Sequence, residues 1–198
     1  MRATASESVP ALAMVGPVAA APAPFCAVAP EAVRANRAPI ITVFTMTLKQ
    51  FEPRDESYES RVRGSFARQR AMHTIGARLV RVEPGEVELE LPFREDLTQQ
   101  HGFLHAGIVT ALVDSACGYA ALSLMDRESA VLSVEYKVNL LAPAVGERMR
   151  AIGRVIKPGR TLLVCTGEVI AVAGGAESLV TAMQGTMMAV RGRPELVD

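Results

Sequence analysis

Tryptophan is missing from this sequence, cysteine and histidine occur three times each, and aromatic residues make up only 5%. Excess charge is missing too, because 21 Lys and Arg balance 21 Asp and Glu over 198 residues. Each shortage removes a class of reading. A neutral chain lacks the electrostatic surplus that draws proteins to nucleic acid or to anionic membranes, so neither partner is expected. Cys26, Cys117 and Cys165 show no paired spacing, which excludes a zinc knuckle and a disulfide framework and fits a reducing, cytoplasmic setting. Wholesale disorder is excluded by a 49% hydrophobic content against 21% charged residues.

What is present is unevenly spread. Residues 1–45 hold 13 alanines and 6 of the 12 prolines. Prolines that repeatedly remove backbone donors let neither helix nor strand run through Pro17–Pro24, so a disordered Ala/Pro-rich arm is expected over 1–45. The prolines also interrupt any secretory leader. Met46 opens a more conventional stretch and reads as an alternative start, with a single folded domain expected over 46–198. Tyr58, Val62 and Phe66 recur every four residues and predict a short amphipathic helix over about 56–70. Strand material is expected over 73–82 and, after a Glu83-Pro84-Gly85 turn, over 86–93, where apolar and charged residues alternate.

Ala106 to Met125 is almost wholly apolar, which predicts a helix buried on every side. A membrane span is disfavoured, because Asp114 sits at its centre and the flanks lack basic and aromatic anchors. Turns at 143–146, 157–160 and 174–175 divide the rest into four strands, near 131–140, 147–157, 161–172 and 178–190. In the first, Leu132, Val134, Tyr136, Val138 and Leu140 are expected on one face, with Ser133 and Glu135 on the other. Two strands, one buried helix and four antiparallel strands make an α+β fold in which the sheet wraps the helix.

Asp114 is the only carboxylate or basic group between His105 and Asp126. A carboxylate taken out of water costs several kcal/mol unless it is paired, hydrogen-bonded or protonated. Its neighbours one turn away, Thr110, Ala111, Cys117 and Gly118, are all small, and Ala106, Gly107 and Ala121 extend the stripe. Such a stripe lets another backbone or a ligand approach closely. At the helix head, the free N–H groups near Ala106 and Gly107 form a partial positive site that can stabilise a developing oxyanion. Ala106 and Asp114 stand eight residues apart, ~12 Å along the axis, so one carbonyl carbon cannot touch both groups of one helix. A composite site, with the carboxylate from one copy and the helix head from an antiparallel second copy, resolves this and predicts a two-fold homodimer.

The run Gln99-Gln-His-Gly-Phe-Leu-His-Ala-Gly-Ile-Val-Thr-Ala-Leu-Val-Asp114, followed by Leu132-Ser-Val-Glu-Tyr-Lys137, resembles the hotdog-fold acyl-CoA thioesterases of the PaaI type. The resemblance covers roughly residues 57–190. It implies an antiparallel sheet around one long helix, an acyl-CoA substrate, no cofactor or metal, and a homodimer or homotetramer. It also implies that Asp114 is general base or nucleophile, that the Ala106 N–H polarises the thioester carbonyl, and that Gln99 and Ser133 position water or substrate. Ala106 departs from the first Gly of the family's His-Gly-Gly triplet and adds a methyl at the carbonyl site. His105, Gly107 and Gly118 are candidate substrate contacts, and Arg160 in the 157–160 turn is a candidate for a CoA phosphate. His101 and His105 stand four apart, but Gly102 keeps them ahead of the helix and no metal site is expected. Two alternatives stay open: a hydratase or dehydratase on the same fold, with His105 as proton carrier, and a non-catalytic acyl-CoA sensor.

Overall fold

In this computed structural model the described residues are 51–193, 195 and 196. The arm expected over 1–45, and the alternative start at Met46, lie outside them. Helix α1 spans Tyr58–Arg68 and buries Val62, Ser65 and Phe66, as the four-residue spacing predicts. Expectation fails next. A second helix, α2, Arg70–Ile75, occupies the start of the predicted strand. It ends because Gly76 adopts φ 82, a left-handed conformation open to glycine, from which its N–H caps the carbonyl of His73. Strand β1 therefore begins only at Arg78 and runs to Glu83.

Strand β2 (Glu86–Pro92) buries Val87, Leu89 and Leu91 in the expected alternation. After the long helix α3 (Ala106–Leu122) come β3 (Ala130–Leu140), β4 (Arg148–Pro158), β5 (Leu162–Ala173) and β6 (Ala176–Val190). They form one six-stranded antiparallel sheet in the order β1-β2-β4-β5-β6-β3, which curls around α3. The middle of the sheet meets the helix backbone directly. Gly153 on β4 and its cross-strand partner Gly167 on β5 lie beneath α3. A Cβ at Gly153 would collide with the Ala116 carbonyl carbon and the Cys117 amide, and one at Gly167 would strike Val113 and Cys117. Gly153→Ala is accordingly expected to destabilise by about 3 kcal/mol, read as a lower urea midpoint at unchanged slope, since rigid helix backbone cannot yield as a side chain would.

Arg61 of α1 fixes the other end of α3. Its guanidinium donates to the carbonyls of Leu122, Met125 and Asp126 at 2.7, 3.0 and 2.7 Å, tying the last residue of the helix and the turn after it to α1. On the outer face of the sheet, Arg148, Arg150 and Arg154 pair with Glu90, Glu88 and Glu86 at 2.9, 3.0 and 2.7 Å. That arginine row is neutralised by carboxylates across the strands.

Two further expectations are corrected. The helix is not buried on every side, because Gly107 is exposed and Ala111, Asp114 and Gly118 are only partly covered. Gly107, Ala111 and Gly118 of the small stripe are therefore the accessible part of the helix, whereas Cys117 and Ala121 of the same stripe are fully buried. On β3, a bulge between Ser133 and Glu135 shifts the register. Before it, Ser133 opposes Met187; after it, Tyr136, Val138 and Leu140 oppose Gly185, Met183 and Thr181, all on the helix side of β6. One extra residue thus puts Ser133 and the later apolar residues on the same face, where strict alternation would separate them.

Candidate functional site

The site is built around the middle of α3. Asp114 Oδ1 accepts the Ser133 hydroxyl of β3 at 2.8 Å, and pairing opposite the fully buried Met187 of β6 sets Ser133 on the helix side of the sheet. Burial pushes the Asp114 carboxyl up from its ordinary value, and the Ser133 hydrogen bond opposes that rise only in part. Asp114, Ser133 and Gly118 line one cavity of about 310 Å³ together with Gln69, Ser115 and Tyr119. Of the residues expected at the site, these three come together within one chain.

Ala106 and Gln99 lie elsewhere, in a second cavity of about 390 Å³ at the head of α3. Its remaining wall is mainly apolar, with Phe103, Leu104, Val109, Leu140 and Leu141. His105 is the N-cap of the helix, and its Nδ1 accepts the Gly107 N–H at 3.0 Å. Of the two candidate backbone donors, Gly107 is therefore engaged, while the Ala106 N–H has no partner among the described residues. Gln99 anchors the loop ahead of the helix: its N–H donates to the Phe103 carbonyl at 2.8 Å and its side-chain oxygen accepts the His101 N–H. Arg160 sits in the β4–β5 turn and lines neither cavity.

The buried thiols offer no competing nucleophile. Burial pushes Cys117 well above its usual range and Cys165 up to about 12, so both stay protonated at neutral pH. The residue that sequence reasoning missed is Gln69. It stands at the junction of α1 and α2, where it closes the Asp114 cavity, and it lies 45 positions before Asp114 with no motif around it.

The arrangement combines a desolvated carboxylate, a hydroxyl bonded to it, a polar cavity open to water, and an unoccupied helix N-terminal donor in a separate apolar cavity. Comparison with known proteins bears on that chemistry. Residues 101–177 match the family model of the thioesterase superfamily. A solved thioesterase family protein from Silicibacter pomeroyi shares 56% identity at a TM-score of 0.67, covering 68% of this chain and 99% of that one. Human acyl-coenzyme A thioesterase 13 is 34% identical over 85 residues, which is 42% of this chain and 60% of the relative. A candidate esterase of Saccharolobus solfataricus is 31% identical over 90 residues, covering 46% of this chain and 64% of that one. The matched stretch thus spans less than two thirds of these two curated relatives.

Proposed function

The chain belongs to the thioesterase superfamily, with its hotdog fold, and from this premise we propose that it is a thioester hydrolase that converts an acyl-CoA to a carboxylic acid and free CoA. The observation that carries the reading is the Asp114–Ser133 pair, a carboxylate raised by burial yet in contact with a cavity large enough for water. In the proposed reaction Asp114 is the general base. It takes a proton from water as the water oxygen attacks the thioester carbonyl carbon, and the C–S bond breaks as the tetrahedral intermediate collapses. The departing thiolate takes the proton back, leaving a carboxylic acid and the CoA thiol. Room for water beside the carboxylate favours this over direct attack by Asp114. Ser133 holds one carboxylate oxygen, leaving the other for the water.

The carbonyl oxygen would face the Ala106 N–H of a second subunit, where a backbone donor stabilises the oxyanion more than the ground state. Supporting a second copy, β3 is an edge strand whose far side has no neighbour among the described strands. It also exposes Leu132, Val134, Tyr136 and Leu140 by 46%, 52%, 46% and 55%, an apolar edge that single soluble chains normally blunt. We therefore place the working unit at a homodimer, or a tetramer built from it. Cytoplasmic residence agrees with the use of CoA, and no helix among the described residues is long and apolar enough to cross a membrane. Gln99 would position substrate from the apolar cavity, and His105 would support the helix head as its cap. That capping role argues against the hydratase reading, which needs the imidazole as acid–base partner of the carboxylate.

The test is thiol release from a panel of short, long and aromatic acyl-CoAs, with an enoyl-CoA as control. Release from at least one saturated or aromatic acyl-CoA is the expected result. Binding without release would favour a sensor, and hydration of the enoyl-CoA without thiol would favour the hydratase.

A further inference from the structure

The two cavities differ in chemistry, and the difference assigns them different occupants. The one at the helix head is mainly apolar and suits the chain of the substrate. Beside Asp114, hydrogen-bonding groups of Ser65, Gln69, Ser115, Tyr119 and Ser133 share the wall. Water is the occupant that such a wall can satisfy, because a polar cavity holds water when two to four partners are available for each molecule.

Within that wall Gln69 has distinctive geometry. Its Oε1 accepts the Tyr119 hydroxyl at 3.1 Å, and its Nε2 donates to Ser115 Oγ at 3.2 Å. Both ends of the amide are thereby fixed by side chains of α3, the helix that carries Asp114. A primary amide has two N–H donors and two carbonyl lone pairs, so one of each remains without a partner among the described residues. Asp114 likewise has one oxygen engaged by Ser133 and one left over. We propose that Gln69 is a positioning residue that holds the attacking water in the Asp114 cavity, an inference that rests on the hydrolase reading above. Fixing the amide matters because a nucleophile misplaced by even an ångström loses about a hundredfold in rate. A glutamine that merely tied α1 and α2 to α3 would satisfy the same two hydrogen bonds but would leave the chemistry of water untouched.

The experiment separates these roles by offering a second nucleophile. The full chain, its Gln69→Leu variant and its Tyr119→Phe variant are each given one acyl-CoA with and without hydroxylamine, and acid and hydroxamate products are measured alongside melting temperature. Gln69→Leu is expected to lower kcat for water about tenfold or more with KM within about threefold. With the spontaneous reaction of hydroxylamine and thioester subtracted, the enzyme-dependent hydroxamate-to-acid ratio should rise by a similar factor, because hydroxylamine does not depend on the water's holder. Tyr119→Phe removes one of the two hydrogen bonds that fix the amide while keeping the amide itself and should shift the ratio in the same direction, which keeps the test decisive if Gln69→Leu does not fold. An unchanged ratio in the folded variants overturns the inference and leaves the hydrolase reading standing. Failure of the parent to release thiol from any acyl-CoA removes both.

Discussion

Asp114→Asn is expected to abolish thiol release, with kcat lower by about 10²–10⁴-fold, while acyl-CoA still binds and the protein still folds. An amide is close to the carboxylate in shape but accepts no proton from water. The raised pKa sets the sign of the accompanying stability change. Folding holds the Asp114 proton more tightly than the unfolded chain does, so this group's favourable contribution is complete below the ordinary carboxylate range. It is lost as pH rises through the higher folded value, and at neutral pH the buried charge is a cost. Removing that charge should leave the melting temperature equal or higher at neutral pH and narrow the difference in acid. The same shift moves the acid limb of the parent's kcat profile upward from the ordinary aspartate value. Ser133→Ala removes a hydrogen bond rather than the base and should cost less. Turnover of Asp114→Asn within a few-fold of the parent would make Asp114 a structural residue.

Ala106→Pro is expected to cost about 10²–10³-fold in kcat without unfolding the protein. Ala106 is the first residue of α3, where proline is tolerated because its missing N–H has no helical partner to lose. The preceding His105 already has φ −61 and ψ 137, the extended geometry that a following proline requires. The substitution therefore deletes one backbone donor at little structural cost. Its greater use is in combination. If each site takes Asp114 from one subunit and Ala106 from the other, a hybrid of Asp114→Asn and Ala106→Pro subunits carries one site in which both residues are intact. Dissociating and mixing equal amounts of the two inactive variants should restore about a quarter of parental activity, since half of the dimers are hybrids with one of two sites working. No recovery on verified subunit exchange would show that both groups act within one chain, or in different sites.

Part of this candidate site was readable in the residue order. Local periodicity identified α1, β2 and the hairpin ladder of the last third. The single charge in an apolar helix marked Asp114 and the free donors of the helix head marked Ala106, while Gln99 and Ser133 came from the resemblance to PaaI-type thioesterases. Helical rise alone separated Ala106 from Asp114, and they do line different cavities. The predicted strand over 73–82 lost its start to α2, because Met72 and Ile75 are buried on a helical face that strand periodicity could not distinguish over so short a stretch.

What the residue order alone determined was most of the elements, α2 excepted, and the candidate groups Asp114 and Ala106, since both follow from side-chain chemistry and spacing along one segment. Only the tertiary structure decided which groups meet. Ser133 reaches Asp114 because it pairs opposite Met187 of β6, a strand some fifty residues away. Gln69 joins the same cavity because a helix break, Tyr119 and Ser115 converge on it. Register and convergence arise from contacts between distant segments, and their energies are set by packing against partners that no local window of sequence contains.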